Sequence, residues 1–80
     1  MTDISFRLTR CFSLVFPGAS PAQILSASTV ALPNWDSIAS ITLINVIEEE
    51  FHIVIDLEVI PELNSYQAME SYLRKVTGGD

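Results

Sequence analysis

The chain is poor in the residues from which much protein chemistry starts. Its 80 residues include one cysteine, one histidine and only four basic side chains: Arg7, Arg10, Arg74 and Lys75. Cys11 alone can make no internal disulfide, and without a second thiol or a histidine cluster a cysteine-based zinc site is excluded. The basic residues lie at opposite ends of the sequence. The clustered positive charge that phosphate backbones demand is therefore missing, which argues against nucleic acid as a partner. No apolar run approaches the ~20 residues of a membrane-spanning helix. The segment "CFSLVF" (11–16) follows Arg7 and Arg10 but is short, is interrupted by Ser13, and has Asp3 where a signal peptide needs positive charge. A soluble, reducing, cytoplasmic setting without membrane insertion is the expectation.

What is present points to a packed core. Hydrophobic residues make up 49% of the chain, and only 9% of the chain is aromatic, so the core is to be built mainly of Ile, Leu and Val. This is too apolar for disorder and long enough for one small domain over residues 1–80, of modest stability. The net charge of −6 and pI near 4.4 favour basic surfaces on partner proteins. Cys11 reads as a small buried hydrophobe on the first helix.

Helical periodicity runs through most of the chain. Ile4, Leu8, Cys11, Phe12 and Val15 form one apolar stripe of a helix over 3–16, with Thr2 or Asp3 as cap and Pro17-Gly18 as stop. A long connection, 17–36, follows. Within it Ser20-Pro21-Ala22-Gln23 has the form of a capping box that starts a single helical turn through Ile24 and Leu25. Val30, Leu32 and Trp35 are expected to anchor the rest of this connection. A second helix over 37–51 starts at the N-cap Asp36 and carries Ile41, Leu43, Ile44, Val46, Ile47 and Phe51 on a broad inward arc. Ile38, Thr42, Asn45 and Glu49 form a separate stripe, apolar at its head and polar after it.

His52 to Ile55 is β-branched but lacks a partner strand, so an extended link is expected. A short turn over 57–62 limited by Pro61 comes next. The last helix, 65 to about 76, is expected to use Asn64 as cap with Gln67 reaching back, and to face Tyr66, Met69, Tyr72, Leu73 and Val76 inward. Arg74 and Lys75 suit its C-terminal dipole, and Gly78-Gly79 ends it. The architecture expected is all-α: a small bundle of three main helices plus a short one, with a long first connection.

Enzymatic readings find little support. Ser37, Asp36 and His52 supply the residue types of a hydrolytic triad, but no G-x-S-x-G elbow is present. His52 also lies on the order of 20 Å from Ser37 along the helix. Glu48-Glu49-Glu50 reads in isolation as a solvated patch, although negative charge near a helix C-terminus is slightly unfavourable. Asp56, Glu58 and Glu62 lack the glycine and ligand series of a calcium loop. Ser37 is different: it stands where free amides and the macrodipole favour an attached anion.

The stretch "WDSIASITLINVIEEEF" (35–51) resembles the region around the prosthetic-group serine of acyl carrier proteins, whose D-S-L motif opens the second helix. Asp36, Ser37 and Ile38 match it with isoleucine for leucine. Leu43 and the closing Glu48 to Phe51 continue the match. "ELNSYQAMESYL" (62–73) is similar to the start of that family's last helix, and the resemblance covers essentially the whole chain. It implies an acyl-carrier-like bundle without catalytic activity of its own. A phosphopantetheinyl transferase would attach 4′-phosphopantetheine to Ser37, with Asp36 capping the helix and orienting the serine. The arm would carry acyl or aminoacyl thioesters to loading and transferring enzymes. Ile38, Thr42, Asn45, Glu48 and Glu49 would form the partner-facing surface. Thr42 and Asn45 stand where housekeeping fatty-acid carriers usually have an acid and a methionine. Ala39 replaces a frequently charged position, and Pro33-Asn34 a frequent glycine. The resemblance thus implies a specialised, freestanding carrier of a lipid, polyketide, surface-sugar or other dedicated pathway, with a monomer as the default expectation. Because the chain starts with Met1 and ends just past its last helix, a carrier excised from a larger synthase fits less well. An unmodified acidic interaction module on the same fold is the alternative.

Overall fold

Helical spacing of apolar side chains decides the first element. In a computed structural model, which describes residues 4–32 and 34–78, α1 spans Ile4–Val15 and buries Ile4, Leu8, Cys11 and Phe12 on one face. Val15 is partly buried at the edge of that stripe. The caps expected at Thr2 or Asp3, together with Pro33 and Gly79, lie outside the described residues. Phe16 closes the helix with its amide on the Phe12 carbonyl (2.7 Å) before Pro17 removes the next donor.

Helix α2, Pro21–Leu25, starts with the capping box read from Ser20 and Gln23: the Gln23 amide donates to Ser20 Oγ (3.2 Å) and the Ser20 amide to Gln23 Oε1 (2.7 Å). It buries Ile24 and leaves Leu25 exposed. Beyond it the chain is tied to the start of the last helix by two backbone bonds, Tyr66 N–H to the Ala27 carbonyl and Thr29 N–H to the Asn64 carbonyl, both 3.0 Å. Leu32 and Trp35 do pack on the core. Val30 does not: it is 93% exposed. The turn around it is closed locally, with Leu32 N–H on the Ser28 carbonyl and Ala31 N–H on Ser28 Oγ, so Val30 sits at an outward tip.

Helix α3, Ser37–Phe51, buries Leu43, Ile44, Ile47 and Phe51, and Val46 is partly buried. Ile41, expected inside, is 59% exposed. At about 100° per residue it lies roughly a quarter turn from the centre of the buried arc. After His52, residues 53–56 form an irregular link that leads to a 3-10 turn, Ile60–Glu62. Pro61 lies inside this turn instead of limiting it, because an early helical position needs no proline N–H. Helix α4, Tyr66–Val76, is capped by Ser65, not Asn64: Ser65 Oγ accepts the Ala68 amide (3.0 Å). It buries Tyr66, Met69 and Leu73, with Tyr72 partly buried and Val76, its last residue, 44% exposed. Arg74 and Lys75 occupy its last turn, and Gly78 follows with a left-handed φ of 94°.

All regular elements among the described residues are helical, apart from an isolated bridge between Ser28 and Ser65. Helix α1 packs against each of the other three. Phe12 stands at the centre, with ring centroids 5.4 Å from both Trp35 and Tyr66 and 6.1 Å from Phe16. The radius of gyration, 11.5 Å, is what a close-packed chain of this length should have, about 12 Å. No helix among the described residues is long and apolar enough to cross a membrane.

Candidate functional site: the head of α3

Asp36 and Ser37 sit at a corner that the local sequence builds almost unaided. Trp35 is buried beneath it, with its amide on the Leu32 carbonyl (3.1 Å) and the Asp36 amide on that of Asn34 (3.1 Å). Asp36 then leaves the loop with extended backbone angles and turns its carboxylate onto the Ala39 amide (2.9 Å). This uses one of the orphan donors of the first turn. The amides of Ser37 and Ile38 have no helical carbonyl behind them.

Ser37 is the first residue of α3 and is exposed, and its hydroxyl has no hydrogen-bond partner among the described residues. On one side it borders a cleft of about 420 Å³ lined by Thr29, Ser40, Ile41, Ile60, Pro61, Leu63 and Asn64. Thr29 and Asn64 reach it through the backbone bond that joins the long connection to the start of α4. Ser40 and Ile41 reach it because they lie three and four residues beyond Ser37 and share its face. Their spacing from Ser37 is the signal that could have found those two, although the sequence reading places Ile41 on the inward arc and does not single out Ser40; nothing local in the sequence brings Thr29 or Asn64 there.

The other predicted positions separate by location. Ile38, Thr42, Asn45 and Glu49 are all exposed and follow one another down the outer face of α3. Ile38 is the most prominent, 75% exposed directly beside Ser37. Glu48 is half-buried at the far end, and its Oε2 accepts the Ile55 amide (2.8 Å). Glu50 is held by Arg7, whose Nε lies 2.9 Å from its carboxylate and whose Nη2 also bonds the Glu50 carbonyl. The Arg7 hydrogen bond holds the Glu50 carboxyl below its ordinary value. The triplet of glutamates is therefore not one uniform patch.

His52 follows the last residue of the 15-residue α3, so it stands on the order of 20 Å from Ser37 along the axis. That distance rules out proton transfer between them. His52 serves instead as the left-handed C-cap (φ 56°), with its amide on the Glu48 carbonyl. Cys11 is buried within the core, and burial pushes its thiol from 9.0 up to about 11, with the Glu50 charge acting in the same direction. Among the described residues no group of three His, Cys, Asp or Glu side chains could hold a metal ion. Comparison of the chain with family models, curated proteins and solved structures finds no match.

Proposed function

We propose that this protein is a carrier of acyl or aminoacyl thioesters, built as an acyl-carrier-like bundle, with 4′-phosphopantetheine attached to Ser37. The observation that carries the reading is the exposed, unpartnered hydroxyl of Ser37 at the first position of α3, capped by Asp36. A covalent anchor has to be reached by another enzyme, and a linking phosphodiester has to be tolerated once formed. The exposure supports the first requirement. The free amides of Ser37 and Ile38, with the positive end of the helix dipole, support the second.

In this reading Ser37 Oγ forms a bond to phosphorus of coenzyme A while the pyrophosphate linkage breaks. Adenosine bisphosphate leaves, and the hydroxyl proton passes to the transferase. The group supplies a thiol that holds cargo as a thioester. The chain itself performs no bond chemistry; it tethers the cargo and raises its effective concentration at each partner enzyme. Asp36 keeps the first turn wound so that Ser37 stays presented. Ile38 offers an apolar contact to an approaching enzyme. Thr42, Asn45 and Glu49 continue that surface, and Glu48 contributes the carboxylate oxygen that Ile55 leaves free. The partners are the transferase and the loading and transferring enzymes of a specialised cytoplasmic pathway, met by a monomer.

The test is intact mass after incubation with coenzyme A, magnesium and a broad-specificity transferase. The wild type is expected to gain one phosphopantetheine, and Ser37→Ala none. Because Cys11 is buried and protonated at neutral pH, the folded apo form should show no fast thiol toward an aromatic disulfide reagent. Loading should create one. A wild type that gains no mass, or a mass gain that survives Ser37→Ala, would falsify the carrier reading. The exposed Ile38 at the head of a polar stripe also suits an unmodified interaction module, which predicts partner binding that Ser37→Ala leaves intact and no arm on the native protein.

A further inference from the structure

The chain's single tryptophan does more at this corner than fill space. Its indole Nε1–H donates to Ser40 Oγ at 2.8 Å. Trp35 is two residues before Ser37 and Ser40 is three after it, so this one side-chain bond spans the junction between loop and helix. Trp35 itself is fixed: it is 3% exposed, edge-on to Phe12 and packed at 5.9 Å from Phe16. Ser40 is only half-buried and forms part of the wall of the cleft beside Ser37. A serine hydroxyl has one proton and two acceptor positions. With the indole N–H occupying one lone pair, the rotor settles and the hydroxyl proton remains to be given away. No acceptor for it is found among the described residues.

We infer that Trp35 is a positioning residue and Ser40 a binding residue for the group attached at Ser37. Trp35 sets the Ser40 hydroxyl so that its proton is donated, within the cleft, to an oxygen acceptor of the arm. The inference rests on the carrier reading and adds to it a specific donor one turn from the anchor. It also explains why a buried tryptophan directs its N–H at a half-exposed side chain instead of at a backbone carbonyl in the core.

The experiment exploits the single indole. In a nitrogen-15 proton correlation spectrum of the full chain, Trp35 gives one indole resonance, recorded before and after loading from coenzyme A. The resonance should move on loading in the wild type and in Ser40→Thr, which retains the hydroxyl, and should stay put in Ser40→Ala. Loading kinetics give a second readout. Ser40→Ala and Trp35→Phe should lower kcat about three- to tenfold, the scale of one lost hydrogen bond, with KM for the carrier unchanged because the outer face of α3 is untouched. Ser40→Thr should restore the rate. Ser40→Ala keeps the aromatic packing, so it answers the question even if Trp35→Phe folds poorly. A loaded wild type whose indole resonance does not shift, or a Ser40→Ala protein loaded at the wild-type rate, overturns this inference alone. A wild type that cannot be loaded at all overturns the carrier reading first.

Discussion

The two ends of α3 differ in how much of the fold depends on them. At the tail, Phe51 is buried under the Arg7 guanidinium (4.5 Å to the ring centroid), Arg7 grips Glu50, and Glu48 holds the Ile55 amide. At the head, Ser37 makes no side-chain bond, Ile38 and Ile41 face outward, and a cleft stands open beside them. One helix is therefore committed to the fold at its C-terminus and available at its N-terminus. A residue that is exposed, unpartnered and placed by its neighbours is where function can be carried without a stability cost, and Ser37 fits that description better than Glu48 or Glu50, both of which are bonded.

The comparison is broken most directly at Phe51. Phe51→Ala should cost about 3 kcal/mol from lost transfer free energy plus the cavity left behind. That corresponds to a fall in Tm of roughly 12–24 °C, measured by thermal unfolding. Ser37→Ala, at the other end, should stay within ~0.5 kcal/mol of wild type. Equal losses at the two positions would erase the distinction between committed tail and free head.

A smaller effect belongs to the cap. Asp36→Ala should cost about 1 kcal/mol by leaving the Ala39 amide without its carboxylate, and Asp36→Asn should recover most of it. If the carrier reading holds, Asp36→Ala should also slow loading by fraying the turn that presents Ser37. A variant as stable as wild type would mean that water replaces the carboxylate at no cost.

How much of this was legible beforehand follows from how local each cause is. The Ser20 box and the Asp36 cap are decided within four residues, and both were readable as letters. Asn64 and Ser65 are both good caps, and the choice between them is long-range: the Asn64 carbonyl is bonded to Thr29, which sets the corner one residue further on. Ile41 counted as apolar and Val30 as an anchor because hydrophobicity was all the sequence disclosed. Their exposure depends on a cleft edge and a locally closed turn that only packing determines. The same holds for the glutamates. Nothing in "EEE" tells that the first bonds a link residue and the third an arginine 43 positions away, leaving Glu49 as the exposed one. The cleft itself was invisible, since Thr29, Ile60 and Asn64 converge on Ser37 from distant parts of the chain.

Glu48 sharpens the comparison because it was expected to face partners. Its bond to the Ile55 amide predicts that Glu48→Ala costs about 1 kcal/mol. Glu48→Gln should be near neutral in stability, because the amide oxygen accepts the same hydrogen. A residue used only for charge would show the reverse pattern in a partner-binding assay, with Gln as damaging as Ala. Measuring both stability and binding for the two variants separates the roles.

The subtlest difference is in the response to acid. Arg7 holds the Glu50 carboxyl below its ordinary value of 4.5, so the unfolded chain takes up that proton at a higher pH than the folded one. Their pairing therefore stabilises the protein fully above pH 4.5, and the contribution is lost as pH falls through the lower folded value. Both side chains are about one-third exposed or less, which keeps the solvent-screened pair small. Arg7→Gln should lower stability at neutral pH, and the gap to wild type should narrow as the denaturant midpoint is followed downward from pH 4.5. What remains of the gap at low pH measures the Arg7 contact with the Phe51 ring together with its bond to the Glu50 carbonyl, neither of which titrates. A gap that stayed constant across that range would assign the whole effect of Arg7 to packing and its carbonyl bond, and remove charge from the account of how the tail of α3 is held.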